Sequence, residues 1–425
     1  MTRRPHASTA EILDSLRIGD HLGLARPSSR GMVGLVFLHL AACSVPLRRS
    51  RARVGQGTSL RVVVANPVRH GAQFVLAILE SARLEGLEVT VVADTRLSDD
   101  LLPVGEYFPS IAMRSIAQVV SLPRLAQGWR ALCSVKALPA ELAHVPRAYL
   151  AYLVVAQSVR YEHAAKTAAT AQSRWATVVD FDRAAYARPL VWAARTRKAP
   201  ITTLVHGTPT PSTYLPVLCD GLMAWGEVQQ AFFAEHAPTV GVTVVGRPQI
   251  EGLLPTTDAP SRLLLCHSME DLSDSEVRRL EGVLRTAKSR GIECVLRPHP
   301  RDPETGTGAG WLCLRGLVDS VSTASQSLQD EIRPGDLVVS VVSTSAVDAL
   351  AMGARVFVAA DPDRALSCDL EFIRDRSDGP FSELSPGAPP SESASRLRVV
   401  AVTGDESRRR VGRALRALVV SAAQR

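Results

Sequence analysis

The sequence predicts an α/β protein of two doubly wound, Rossmann-like domains with a cleft between them, and three observations carry that expectation. Short apolar runs, such as residues 175–179, 262–266 and 292–296, recur along the chain and read as strands buried on both faces. They alternate with stretches whose apolar residues return at helical spacing, the pattern of βαβ units around a parallel sheet. Polar and glycine-containing motifs follow several of the runs, which is where open α/β sheets take their ligands.

The folded part is expected to begin near residue 59. Residues 60–65 read as a first strand, Asn66-Pro67-Val68-Arg69-His70-Gly71 as a loop, and 72–84 as a helix that Gly86 stops. Residues 87–93 form the second strand. Helical stretches follow at 115–122 and 139–171. Next come a strand at 175–179 ending in Asp180-Phe181-Asp182, a helix at 184–196, and a strand at 201–205 ending in His206-Gly207. A strand at 222–225, a helix at 227–236 and a strand at 240–245 complete the first domain, residues 59–250. Residues 252–260, with Pro255, Thr256, Thr257, Asp258 and Pro260, have a linker's composition. The second domain, residues 251–425, opens with a strand at 262–266, a helix at 273–290 and a strand at 292–296. A Gly-rich loop at 306–310 leads to strands at 311–314 and 337–342, a helix at 346–352 and a strand at 355–359. Residues 378–391 are rich in Pro, Ser and Gly and read as mobile, and an Arg-rich amphipathic helix is expected at 407–423.

A chain of 425 residues supplies two cores, and 46% hydrophobic with 21% charged residues is the composition of a soluble globular protein. The net charge of +7 includes only four Lys (Lys136, Lys166, Lys198, Lys288), the other 45 basic residues being Arg. No nucleic-acid fold signature and no basic tract interleaved with aromatics accompanies this charge, so nucleic acid is not expected as a partner. Anionic lipid or a phosphorylated substrate suits the charge equally well. The cysteines Cys43, Cys133, Cys219, Cys266, Cys294, Cys313 and Cys368 lack CxxC or metal-ligand spacing, which favours a reducing cytoplasm over a disulfide framework. Residues 1–58 form an extension with three readings: a peripheral membrane helix, a packing or disordered segment, or a signal or span. Its apolar stretch, 31–47, is at about 17 residues the lower limit for a bilayer; it contains His39 and runs into Arg48-Arg49-Ser50-Arg51. Met32 offers a second start.

Two motifs are the sharpest. Arg297-Pro298-His299-Pro300 follows a predicted strand, and proline on both sides of His299 limits its backbone to extended geometry. The cationic Arg297 suits the donor's phosphate, and the imidazole suits a phosphate oxygen or acid catalysis on a leaving phosphate. Ser343-Thr344-Ser345 ends another strand and leads into a helix, where hydroxyls and N–H groups suit an anion; Asp348 in the first turn is a candidate for a ribose hydroxyl. His206-Gly207 follows a third strand, with Gly207 read as permitting close backbone approach and Tyr214 shortly after. Asp180 and Asp182 are candidates for a general base, with Asp182 also placed to cap the helix predicted at 184–196. Arg69, His70 and Gly71 in the first βα loop are expected to face the cleft. Glu270 and Asp271, after Cys266-His267-Ser268, also follow a strand and are treated as peripheral. HExxH, Walker A, GxSxG and GxGxxG motifs are absent, which removes several enzyme classes.

Together, Leu204-Val205-His206-Gly207, Tyr214-Leu215-Pro216, Asp220, Trp225-Gly226, Val244-Val245-Gly246-Arg247-Pro248, Arg297-Pro298-His299-Pro300 and Ser343-Thr344-Ser345 with Asp348-Ala349-Leu350 and Gly353 resemble the GT-B glycosyltransferases. Within them the branch of CDP-glycerol glycerophosphotransferases and bacterial polysialyltransferases is nearest, over roughly residues 60–360. The resemblance implies a nucleotide held mainly by the second domain, with His299, Ser343, Thr344 and Ser345 on phosphate, His206 bordering the donor, and Asp180 or Asp182 as the base. It implies no bound metal and no cofactor beyond the nucleotide-activated donor; cationic and hydroxyl groups would stabilise the leaving phosphate. This chain departs from the pattern at Arg247, where relatives carry Asn, at Asp348, where many carry Glu, and at Val205, where they carry Gln.

The expected function is a metal-independent transfer of a sugar or polyol phosphate from a nucleotide-activated donor, CMP or CDP favoured over UDP. The acceptor would be a cell-envelope glycan or a lipid-linked molecule, handled in the cytoplasm with peripheral contact to the anionic inner membrane face. Two alternatives stand beside it: a nucleotide-sugar 2-epimerase of the same fold, and a non-catalytic nucleotide- or glycan-binding protein on a degenerate transferase scaffold.

Overall fold

The computed structural model describes residues 7–16, 59–64, 69–93, 112–115, 129–252, 260–302, 309–375 and 397–424, apart from isolated positions and short gaps within the longer spans. The apolar stretch 31–47, the predicted helix at 115–122 beyond Ser115, and the Pro/Ser/Gly-rich segment 378–391 lie outside the described residues. The chain divides into two compact units, one of Met1–His206, Pro216–Met223 and Val411–Arg425, the other of Gly207–Leu215 and Ala224–Arg410. This division differs from a single boundary near residue 250, because the chain passes between the units more than once.

The first unit contains α1 (Thr9–Ser15), β1 (Ser59–Val64), α2 (Arg69–Leu84), β2 (Val89–Ala93), β3 (Ala112–Ser115), α3 (Arg147–Thr170), β4 (Trp175–Val179), α4 (Arg188–Thr196), β5 (Ile201–Leu204) and most of β6 (Gly221–Ala224). Its strands run in the order β3-β2-β1-β4-β5-β6 and pair in parallel, the doubly wound arrangement. Every residue of β4 is buried, as a strand covered by helices on both faces must be. Helix α3 is apolar on most of its circumference, with Leu150, Leu153, Val154, Val155 and Tyr161 all buried, so it runs through a core rather than along a surface. Against it packs α1, through Ile12, Leu13 and Leu16. Arg188 fixes α1 further, with Nη2 2.8 Å from both Glu11 and Asp14. Part of the N-terminal extension is thus a packed element.

The second unit contains α5 (Pro211–Tyr214), α6 (Glu227–His236), β7 (Gly241–Val244), β8 (Arg262–Cys266), α7 (Asp274–Ser289), β9 (Glu293–Arg297), α8 (Ala309–Arg315), β10 (Ser320–Val321), α9 (Leu328–Glu331), β11 (Leu337–Ser340), α10 (Ser345–Met352), β12 (Arg355–Val358) and α11 (Cys368–Arg374). Helix α12 (Gly404–Gln424) begins here, and its residues from Val411 belong to the first unit. The second sheet has the order β10-β9-β8-β11-β12, again parallel throughout. Both units are therefore Rossmann-like α/β layers.

Several expected boundaries are corrected. Residues 311–314 lie in α8, not in a strand; Trp311 and Leu314 are both fully buried at the i, i+3 spacing of one helix face. Helix α3 begins after Pro146, with a short 3₁₀ turn at Ala140–Leu142 before it. Helix α4 begins at Arg188, four residues later than expected, with Pro189 in its first turn, where a missing N–H costs nothing.

Candidate functional site

In the second sheet the chain leaves β8 towards β9 on one side and returns to β11 on the other, so the topological switch point falls between β8 and β11. Three segments emerge together at the carboxyl ends of neighbouring strands: Cys266-His267-Ser268, Arg297-Pro298-His299 and, just beyond β11, Ser343-Thr344-Ser345. Cys266 is in register with Arg297, and the His267 N–H donates to the Arg297 carbonyl at 2.9 Å. Burial pushes the pKa of the Cys266 thiol up to about 12.

The two sharpest sequence motifs thus sit on one sheet edge. Ser343 Oγ accepts the Ser345 N–H at 3.2 Å, and Thr344 precedes α10 with no side-chain capping bond. Ser343, Ser345 and His299 are half-buried and Thr344 is exposed, so the hydroxyls and the start of α10 together present donors suited to a phosphate.

Two charges expected at this site are engaged elsewhere. The Arg297 guanidinium pairs with buried Glu331 and donates to the Gln326 carbonyl at 2.8 Å, so it points into the unit and is corrected from phosphate ligand to core ion pair. Arg262 and Asp336 form a second buried pair beside it, with Arg262 Nη2 also donating to the Glu331 carbonyl at 2.6 Å. Asp348 Oδ1 lies 2.6 Å from Arg247 Nη1, and the Arg247 guanidinium stacks 3.8 Å above the Trp225 ring. The Arg for Asn and the Asp for Glu, two separate departures from the resembled pattern, are thus one contact: a shorter acid facing a longer base.

In the first unit, Asp180 and Asp182 are both buried. Asp182 Oδ2 accepts the N–H groups of Leu218 at 2.6 Å and Cys219 at 3.1 Å, and burial raises its pKa against those bonds. It does not cap α4, whose N-cap Ala187 has no side-chain bond; it ties down the segment before β6. His206 Nδ1 lies 2.6 Å from the Asp180 carbonyl. A carbonyl only accepts, so the Nδ1 carries a proton and the Nε2 of neutral His206 carries the lone pair. The Phe181 ring meets the imidazole edge-on at 5.4 Å.

Tyr214 is 3% exposed and its hydroxyl accepts the Gly207 N–H at 3.3 Å, so it braces the loop from inside. A Cβ at Gly207 would meet only that hydroxyl, at 3.9 Å, an ordinary contact, so packing does not demand glycine there. Arg69, His70 and Gly71 lie in the first turn of α2 rather than in a loop. Glu270 pairs with Arg364 at 2.9 Å.

Sequence reasoning missed His267 and Arg247 as site residues. The signal for His267 was its place after the first strand of the second series, beside the switch point; Arg247 carried none beyond its departure from the resembled motif. Among the described residues no three His, Cys, Asp or Glu side chains converge as a metal site, and no helix is long and apolar enough to cross a membrane.

No family model and no curated protein matches this chain. Solved structures do. A glycosyltransferase from Rickettsia africae is 12% identical, with 87% of this chain and 94% of that one covered at a TM-score of 0.45. A putative UDP-N-acetylglucosamine 2-epimerase from Listeria monocytogenes is 14% identical, with 86% and 97% covered at 0.49. The UDP-GlcNAc 2-epimerase of Neisseria meningitidis, bound to UDP-GlcNAc, is 12% identical, with 86% and 100% covered at 0.48.

Proposed function

We propose that the protein is a metal-independent transferase of the GT-B type, acting on a nucleotide-activated sugar or polyol. The observation that supports this reading is that the His299 segment and the Ser343–Ser345 hydroxyls follow the carboxyl ends of β9 and β11, the two strands that flank β8 in one parallel sheet. The phosphate of the donor would take hydrogen bonds from Ser343, Thr344 and Ser345 and from the start of α10. His299 would donate to the oxygen that leaves as the donor bond breaks. The acceptor hydroxyl would attack as the donor bond breaks and lose its proton to a general base; of the residues considered for that role, His206 has a suitable tautomer, whereas the Asp182 carboxylate is held by two backbone N–H groups. CMP and CDP donors are favoured over UDP on the Arg297–Pro300 motif, with a cell-envelope glycan or lipid-linked acceptor at the inner membrane face.

A second reading, a nucleotide-binding protein without transfer activity, is favoured by one observation: Asp182 and Asp348, two acids suited to chemistry or ribose contact, are both already paired. A thermal-shift screen against CMP, CDP, UDP, GDP and ADP, with and without Mg²⁺, tests the binding claim. A ligand that binds only the folded state at a hundredfold excess over its Kd adds about 2.7 kcal/mol of stability. A cytidine-selective shift independent of Mg²⁺ is the expected outcome, and no shift with any nucleotide would remove the proposal. Donor turnover with added acceptor then separates transferase from binding protein.

A further inference from the structure

Within Pro298-His299-Pro300 the His299 N–H is the single backbone donor, since proline has none. Whatever accepts that N–H decides how the segment is seated. The acceptor is a side chain from the segment that follows β8: Nδ1 of His267, at 3.2 Å. The His267 side chain is fully buried, and its ring meets Trp311 edge-on with centroids 4.7 Å apart. Trp311 is itself fully buried and tethered through its Nε1–H to the Glu270 carbonyl at 3.1 Å, so the imidazole has a fixed wall. On its far side Nε2 lies 3.8 Å from Asp302 Oδ2, while the Asp302 N–H donates to the His299 carbonyl at 2.8 Å. His267 thus faces both ends of the turn that carries His299.

We propose that His267 is the positioning residue for His299, holding the imidazole of the phosphate site in place by accepting its backbone N–H through an unprotonated Nδ1. An accepting Nδ1 puts the ring proton of neutral His267 on Nε2, towards Asp302. Burial lowers the His267 pKa, with Asp302 opposing; a protonated ring has no lone pair for the His299 N–H. Pre-organisation of this kind matters because a catalytic or binding side chain displaced by about an ångström loses much of its effect. The inference rests on the reading of His299 as a phosphate ligand, but its structural core does not.

Three variants test it. His267→Asn keeps an acceptor oxygen near the Nδ1 position, His267→Gln moves the polar end outward, and His267→Ala removes it. Side-chain ¹⁵N spectra of histidine-labelled protein should show His267 protonated at Nε2 and not at Nδ1. Hydrogen exchange in the peptide covering residues 293–302 should rise about tenfold in His267→Gln and His267→Ala and stay within about threefold in His267→Asn, a tenfold change corresponding to one such bond. CMP affinity, measured as Kd, should follow the same order. An Nδ1-protonated ring, or equal exchange in wild type and His267→Gln, would overturn the inference. If wild-type protein fails to bind CMP or any other nucleotide, the phosphate reading falls, and the tautomer and exchange results still decide whether His267 seats the turn.

Discussion

Replacing Asp348 by Asn removes the carboxylate charge from the Arg247–Asp348 contact while leaving the side chain's shape. At 2.6 Å the Coulomb attraction is ~6 kcal/mol for an effective dielectric near 20, but desolvation offsets most of it. The side chains are 10% and 27% exposed, which places the pair between a surface bridge, worth about 0–1 kcal/mol, and a buried one, whose rupture costs about 3–5 kcal/mol. A coupling of about 2 kcal/mol follows. Asp348 also sits in the first turn of α10, where a negative charge contributes about 0.5 kcal/mol with the helix dipole. Asp348→Asn should therefore cost about 2.5 kcal/mol, lowering the thermal midpoint of a unit this size by roughly 5–10 °C. A double-mutant cycle with Arg247→Met separates the two effects, because in that background Asn removes only the dipole contribution. Denaturant unfolding of the four proteins should give a coupling energy of about 2 kcal/mol. Additivity within about 0.5 kcal/mol would refute the pairing. If Asp348 meets a ribose hydroxyl in the complex, Arg247→Met should also tighten nucleotide binding, since the acid is then unoccupied.

Other positions make separate predictions. Gly246 has φ +86 and a Cβ there would lie 2.0 Å from the Val402 carbonyl oxygen, so Gly246→Ala should cost at least about 3 kcal/mol in denaturant midpoint experiments, the left-handed conformation alone accounting for about 1–2 kcal/mol. Gly207→Ala should stay within about 0.5 kcal/mol. Asp369 is fully buried, hydrogen-bonded by Gln229 at 2.8 Å, and burial raises its pKa to about 7. Its folded form holds the proton more tightly than the unfolded one, so its contribution is complete below about pH 4 and is lost as pH rises through 7. Asp369→Asn should accordingly gain on wild type between pH 4 and 8, by up to about 4 kcal/mol at 1.4 kcal/mol per pH unit, read as the difference in thermal midpoint. Arg297→Met should destabilise by about 3–5 kcal/mol by stranding Glu331, and that loss should be partly recovered with Glu331→Leu; a variant that keeps wild-type stability but loses nucleotide affinity would return Arg297 to the phosphate site.

The fold was readable wherever a strand is covered on both faces, because burial then leaves a continuous apolar run. Residues 175–179 and 262–266 are strands at those limits, and 227–236 is a helix at its expected limits. The edge strands Ala112–Ser115 and Ser320–Val321 were not readable, being too short and too polar to stand out. Helix α4 started late because residues 181–187 close into turns, with the Ala184 N–H on the Phe181 carbonyl and the Ala187 N–H on the Ala184 carbonyl, while their apolar content matches a helix. At the site, strand-end motifs showed which residues reach the switch point, since that follows from local order. They did not show which were already paired. Arg247 and Asp348 are a hundred residues apart in sequence, and Asp182 meets a segment on the far side of a strand; such pairings leave no periodicity to read.

Isothermal titration of CMP and CDP into wild type, His299→Ala and the double variant Ser343→Ala/Ser345→Ala tests the phosphate site most directly. Wild type should bind without metal, and each variant should bind at least tenfold more weakly, about 1.4 kcal/mol or more, while still unfolding in a single cooperative transition. Binding of equal strength in all three proteins would contradict it.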